Sequence, residues 1–350
     1  MTALRRRGLE LGCLALGATI LIGTLWIIGI DTLVRDLSLI GWGLAVILLV
    51  ESVSVLLNTG GWALAFPSGE RTAGAGRLFA ARLAGDAINY LTPSATVGGE
   101  LLRVRLLGHE MPASLRWASV VVAKVGQSVA QGVFIVLGLA QVVPQLTALS
   151  PRLAGLPGLT TVVAIAAALG AATAFVWTVG RGFWATLRGA LARVRLGGLL
   201  PASWAGPGRD LDAALARLGS WRAAASLGCF VLGWAVGAAE IYLILRWVGS
   251  AVDWRTAVAL ETGSVLIDGI LFFVPAKVGT QEGGKVLLFA ALGLDPARGL
   301  TVGIVRRIRE LAYAGLGLVA LGWLGAHPGS AEAARLAMDG SSASEAPRRA

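Results

Sequence analysis

Between Ile270 and Glu310 the chain reads as membrane sequence with charges inside it. The stretch ILFFVPAKVGTQEGGKVLLFAALGLDPARGLTVGIVRRIRE is mostly apolar, yet it holds Lys277, Glu282, Lys285, Arg306, Arg307, Arg309 and Glu310. Pro275, Gly279, Gly283 and Gly284 interrupt it. An ionised side chain at the bilayer centre costs on the order of 2.5–3.5 kcal/mol on insertion scales. Non-helical backbone survives at that depth only where protein or a water-filled cavity satisfies its N–H and C=O groups. A plain anchor is therefore excluded, and the stretch predicts a polar site enclosed by a membrane protein.

The rest of the chain supports this class. It has 350 residues, 56% of them hydrophobic and only 14% charged, against about 25% charged in soluble domains. Several apolar runs reach the ~20 residues that span a bilayer. These features predict an all-α polytopic protein of the bacterial cytoplasmic (inner) membrane. The net charge of +10 comes from arginines between the apolar runs, as the positive-inside rule expects, and no nucleic-acid recognition motif accompanies it. Of 30 basic residues only Lys124, Lys277 and Lys285 are lysines, and all three lie in apolar sequence. Snorkelling from a helix end would explain one such lysine; three together point to a functional set. Cys13, Cys229, His109 and His327 are too sparse for a disulfide framework or a metal centre. No cofactor is expected. With no nucleophile–base arrangement and no phosphate-cradling loop, neither is enzymatic chemistry.

Taken in order, the chain predicts about six full spans and two broken re-entrant hairpins. Arg5, Arg6 and Arg7 precede a first span, Leu9–Ile30, and set a cytoplasmic N-terminus. A short outer loop with Asp31, Arg35 and Asp36 leads to a second span, Leu39–Phe66, in which Glu51 and Asn58 share a face. Arg71, Arg77 and Arg82 mark a return to the cytoplasm. The first irregular stretch, GDAINYLTPSATVGGELLRVR over 85–105, combines Asn89, Pro93, Gly99, Glu100 and Arg103 with segments too short to span. A third span, Ala113–Val143, aligns Lys124, Gln127 and Gln131 along one face. A fourth, Leu159–Val179, is bland; an Arg-rich cytoplasmic loop covers 180–222, part of it amphipathic helix on the membrane surface. A fifth, Ala223–Val248, buries Glu240. The second irregular stretch follows, entered through Glu261 and Asp268, and then a sixth span, Arg298–Ala326. Residues 327–350 form a disordered cytoplasmic tail. Trp177, Trp184, Trp221, Trp247, Trp254 and Trp323 fall near span ends, as an aromatic belt would.

The two irregular stretches match each other. Pro93 precedes Glu100 by seven residues, and Pro275 precedes Glu282 by seven. Each is followed by a glycine (Gly108, Gly293), a Pro-Ala pair (Pro112-Ala113, Pro296-Ala297) and a span with basic residues about three turns in, Lys124 in one and Arg306 and Arg307 in the other. The offset stays at 182 to 185 residues. This is an internal repeat, with halves at about 9–143 and 159–326. The loop charges place the first hairpin on the cytoplasmic side and the second on the outside, which inverts the halves, as in many secondary transporters.

These residues also carry a family resemblance. NYLTPSATVGGELLRVRLL and FFVPAKVGTQEGGKVLLFAALGL, with the VRRIREL segment, resemble the flippase-like membrane proteins related to the transmembrane region of lysylphosphatidylglycerol synthase. The Gln281-Glu282-Gly283-Gly284 and Arg306-Arg307-Ile308-Arg309-Glu310 motifs are similar to the hopanoid-biosynthesis-associated branch. The synthases' soluble aminoacyl-transfer domain has no counterpart in these 350 residues, so the resemblance implies lipid binding or translocation and not lipid aminoacylation. The expected site comprises Asn89, Pro93, Gly99, Glu100, Arg103, Lys124, Pro275, Lys277, Gly279, Gln281, Glu282, Lys285, Arg306, Arg307 and Glu310. The bases attract a lipid headgroup, the two glutamates pair with them, and the glycines and prolines make the hairpins pliable. The expected partners are membrane lipids, phospholipid or hopanoid, and lipid-biosynthesis enzymes. Two other classes fit the same residues: a proton- or ion-coupled transporter of a small solute, and a non-transporting scaffold for lipid-synthesis enzymes.

Overall fold

Among the described residues, four helices are long and apolar enough to cross a bilayer: Gly43–Leu64, Ala113–Gln141, Thr160–Val179 and Ser220–Trp247. They belong to a computed structural model that describes residues 30–67, 73–91, 97–108, 111–148, 156–193, 216–270 and 279–326, with Trp26, 208, 209, 212 and 213. The described residues contain no strand. Their helices are α1 (Ile30–Ile40), α2 (Gly43–Leu64), α3 (Ala75–Leu91), α4 (Val97–Leu106), α5 (Ala113–Ala148), α6 (Leu156–Arg181), α7 (Phe183–Arg193), α8 (Ser220–Trp247), α9 (Trp254–Ile270), α10 (Thr280–Ala291) and α11 (Pro296–Ala326). The chain is thus an all-α polytopic membrane protein. Its apolar side chains point outward as a lipid-facing surface requires: Leu49, Leu56, Val162, Leu169 and Val319 are all exposed.

Local chemistry starts and stops these helices. The Asp253 carboxylate accepts from the Thr256 N–H at 2.8 Å and caps α9. Asp295 does the same for α11, accepting from the Ala297 N–H at 2.9 Å with Pro296 in the first helical position. Gly108 and Gly293 follow the ends of α4 and α10 with φ of +88° and +70°, a left-handed turn that side chains with a Cβ resist. The two glycines matched by sequence thus do the same work in both halves.

Each irregular stretch is a long helix and a short one. α3 and α4 have 17 and 10 residues, α9 and α10 have 17 and 12. At about 1.5 Å per residue the short arms reach ~15–18 Å, about half of the ~30 Å hydrocarbon core. The Arg77 Nε donates to the Leu106 carbonyl at 2.8 Å and ties the open end of the first hairpin together.

The helices pack through small residues. α2 crosses α8 where Gly61 faces the Phe230 ring and the Ser226 hydroxyl donates to the Gly61 carbonyl at 2.7 Å. The hairpins then exchange partners. α3 lies on α11, with Gly317 against the Leu83 carbonyl and the Ala87 Cβ, and α9 lies on α5, with Gly138 against Thr262. Each hairpin's long helix therefore packs on the span that follows the other hairpin.

Some sequence expectations change. The span expected at Leu39–Phe66 breaks at Gly41, where φ is +47°, so α1 and α2 are separate helices. Asp31, Arg35 and Asp36 lie in α1 rather than in a loop. Leu33, Asp36 and Ile40 form its buried face, and the Asp36 carboxylate meets Arg298 and accepts from the Thr301 hydroxyl at 2.7 Å. Arg82 lies within α3, not in a cytoplasmic loop, because Asp86 one turn on supplies its counter-charge at 2.7 Å. Trp184 is buried against Gly208 instead of joining an aromatic belt. The sixth expected span exists as α11, with 31 residues and three arginines and a glutamate at its middle. The first expected span before Ile30, apart from Trp26, and the tail beyond 326 lie outside the described residues.

The exchange contact gives a direct test. A Cβ at Gly317 would overlap the Leu83 backbone carbonyl, whereas one at Gly315 meets nothing within 4 Å. Gly317→Val should cost more than about 2 kcal/mol, and Gly315→Val should stay within about 0.5 kcal/mol. Thermal unfolding in detergent, followed by size-exclusion chromatography, would measure the difference.

Candidate functional site, a buried ionic network on two broken hairpins

The first hairpin brings its polar residues together on facing helices. Asp86 on α3 accepts from Arg82 at 2.7 Å and from Arg103 on α4 at 2.5 Å. Arg103, 4% exposed, also donates to Glu100 at 2.6 Å. The other Glu100 oxygen lies 3.3 Å from the Lys124 ammonium on α5. The Gln127 amide sits beside Asn58 and Arg82; with its oxygen turned to Arg82 it accepts at 2.5 and 2.9 Å. Gly99 is fixed by geometry: its N–H donates to the Asn89 side-chain oxygen at 2.8 Å, and a Cβ there would overlap the Gly85 carbonyl. Close approach of the two arms is what this glycine permits.

The second hairpin builds a larger network around α11. Glu282, wholly buried, accepts from two nitrogens of Arg307 at 2.9 Å, both on Oε1. Arg307 also donates to the Tyr90 hydroxyl on α3 at 2.7 Å, which joins the two hairpins. Arg306 reaches Glu240 on α8 at 3.1 Å, Glu261 on α9 at 2.6 Å and the Gly237 carbonyl at 2.8 Å. Arg309 bridges Glu240 and Glu51 on α2, the latter at 3.0 Å. Gln281 donates to Asp268 and to Glu310, both at 3.1 Å. Lys285, 2% exposed, lies within electrostatic reach of Asp268, Glu310, Glu261 and Arg306. Gly279, with φ of +72°, opens α10, and its carbonyl accepts from the Gly283 N–H at 2.9 Å.

Superimposing the halves by sequence shows the same frame twice. Asp86 and Asp268, Glu100 and Glu282, Arg103 and Lys285, Asn58 and Glu240, and Lys124 and Arg306 are all 182 residues apart. The pair Glu100–Lys124 recurs as Glu282–Arg307, with the arginine one position further on. The arginine at the 182 offset, Arg306, turns to Glu240 and Glu261 instead.

Of the site residues expected from sequence, Asn89, Gly99, Glu100, Arg103 and Lys124 gather in the first network, and Gly279, Gln281, Glu282, Lys285, Arg306, Arg307 and Glu310 in the second. Pro93, Pro275 and Lys277 lie outside the described residues. The structure adds Arg82, Asp86, Tyr90, Glu51, Glu240, Glu261, Asp268 and Arg309. An ionisable residue in an apolar run was the available signal for the acids; Tyr90 offered none, since a lone tyrosine near a helix end reads as an interface residue. Two apolar surface grooves, one beside Trp42 and one between α5 and α6 at Leu139 and Val163, are lined by none of these charges.

Buried ion networks on broken helices inside a multi-pass bundle define an integral membrane protein with a polar interior. The chain belongs to the family described as the lysylphosphatidylglycerol synthase transmembrane region, whose sequence model matches residues 14–332. Neither the curated proteins nor the solved structures contain a match to it.

Removing one partner of a buried pair costs far more than removing both. Arg307→Met leaves Glu282 uncompensated and should destabilise the protein by about 3–5 kcal/mol. Glu282→Leu/Arg307→Met should recover most of that loss. Unfolding of the single and double variants in detergent measures both, and equal stability of the two would show that the pair is not coupled.

Proposed function

We propose that this protein binds a lipid headgroup at the ionic network and carries it between the leaflets of the bacterial cytoplasmic membrane, with no covalent chemistry. One observation supports this most: Glu100 and Glu282 sit in the first turns of the two half-helices and neutralise bases that reach them from the following spans. A helix N-terminus with a base beside it suits an anionic group. A headgroup phosphate entering the site displaces the glutamate from Lys124 or Arg307 and takes its place. Family membership supports a lipid-related role.

The doubled frame suits alternating access. With the halves inverted, the first hairpin opens from the cytoplasm and the second from outside. Rocking then takes place where α3 lies on α11 and α9 on α5. The motifs similar to the hopanoid-associated branch make a polycyclic lipid a cargo to compare with phospholipids, and lipid-synthesis enzymes the natural suppliers.

Reconstitution tests the reading. Liposomes carry a trace of labelled phospholipid in both leaflets, and an impermeant quencher is added outside. Wild type should expose label beyond the outer-leaflet share. Glu282→Gln and Lys124→Ala should each slow this by about tenfold or more, the effect of about 1.4 kcal/mol lost from the barrier-lowering contacts. Quenching that stops at the outer-leaflet share with anionic phospholipid, neutral phospholipid and a labelled hopanoid alike would reject translocation.

A further inference from the structure

The duplicated frame carries unlike charge in its two halves. Among the described residues, the first network sets Arg82, Arg103 and Lys124 against Asp86 and Glu100, one base in excess. Residues 92–96, between α3 and α4 in sequence, include no charged residue, so that excess stands. The second network sets Glu51, Glu240, Glu261, Asp268, Glu282 and Glu310 against Lys285, Arg306, Arg307 and Arg309, two acids in excess. Lys277, the one charged residue in 271–278, lowers this to one. The field of the first half-site therefore attracts an anion and that of the second repels it.

Access divides the halves in the same way. The Lys124 side chain is 39% exposed and that of Asp86 is 43% exposed. In the second half Glu240, Glu261, Glu282, Lys285 and Arg306 are all buried, and the Arg307 side chain is 15% exposed. Lys124 lies eleven residues into α5, about 16 Å from its start at ~1.5 Å per residue. Lipid tails at that depth offer an exposed ammonium no partner, so an exposed base there marks a functional site.

The pairing decides which base can be released. Glu100 is held twice, by Arg103 at 2.6 Å on one oxygen and by Lys124 at 3.3 Å on the other. Lys124 can therefore leave without stripping Glu100 of counter-charge. Glu282, wholly buried, meets no base but Arg307 among the described residues, and taking the one base from a buried carboxylate is strongly destabilising. We propose that Lys124, and not Arg307, receives the headgroup, and that the first half-site takes a lipid of one net negative charge, a phosphodiester whose second alcohol is uncharged. This rests on the headgroup-binding reading above. The single charge follows from the single base in excess: a phosphodiester monoanion on Lys124 brings the network to neutrality, with Glu100 left on Arg103 and Asp86 still held by Arg82 and Arg103. The Glu282–Arg307 pair, with Tyr90, then serves the joint between the hairpins and does not touch the headgroup.

The chain's three lysines, Lys124, Lys277 and Lys285, make the test direct. Wild type in a neutral detergent is treated with a water-soluble amine-acylating reagent, and each lysine is read by peptide mass spectrometry. Lys124 should be acylated and Lys285 spared. Short-chain phosphatidylglycerol at about ten times its half-protecting concentration should slow Lys124 acylation about tenfold, because about a tenth of the sites are then free. Short-chain phosphatidylcholine, whose choline cancels the phosphate charge, should leave the rate close to that without lipid. Glu100→Gln, which removes the competitor for Lys124, should lower the half-protecting concentration of phosphatidylglycerol about tenfold. Protection by glycerophosphoglycerol, the same headgroup without chains, would support the site for the headgroup alone. Lys285 acylated as fast as Lys124, equal protection by phosphatidylcholine, or no protection by phosphatidylglycerol would each overturn the proposal. Translocation is scored separately in liposomes: phosphatidylglycerol that crosses while Lys124 stays unprotected rejects this site alone, whereas protection without crossing keeps the site and rejects transport.

Discussion

Desolvation of charge governs this structure. A membrane interior offers no water to an arginine or a carboxylate, so each must find its counter-charge in the protein. That requirement draws α2, α8, α9 and α11 to common points at Arg306 and Arg309. It holds α3, α4 and α5 together through Asp86, Arg103 and Glu100. Apolar packing alone would not select these neighbours, because lipid tails compete equally for apolar side chains. The small residues at Gly61, Gly138 and Gly317 let the backbones approach, and the ion pairs decide which backbones.

The same physics makes the arrangement adjustable. Buried ion pairs contribute little net stability when complete and cost much when broken. A network in which arginines are shared by several acids can exchange partners without leaving a charge alone. Arg307, held by both Glu282 and Tyr90, is placed where such an exchange would be felt by both hairpins. Under the proposed function, a lipid headgroup that entered at this point would act on a joint between the halves.

Much of the fold was legible in the sequence. Hydropathy marked the four apolar spans, and the match of Pro93–Glu100 with Pro275–Glu282 located both hairpins. Charged residues in apolar sequence named most of the site. Two kinds of feature were hidden. Arg82 and Asp36 read as loop residues because charge usually marks a loop; only the partners Asp86 and Arg298, the second of them 262 residues away, make helical burial tolerable. The break at Gly41 was also invisible, since one glycine in an apolar run is tolerated in a helix at a cost of about 1 kcal/mol.

The sequence by itself determined the class, the membrane setting and the duplicated frame, because each rests on local composition and on spacing along one chain. The partners of the charges were decided by tertiary structure. Arg306 and Arg307 are adjacent and chemically identical, yet one turns to Glu240 and Glu261 and the other to Glu282 and Tyr90. Successive residues on a helix point about 100° apart, and which helix waits in each direction is a property of the packed bundle.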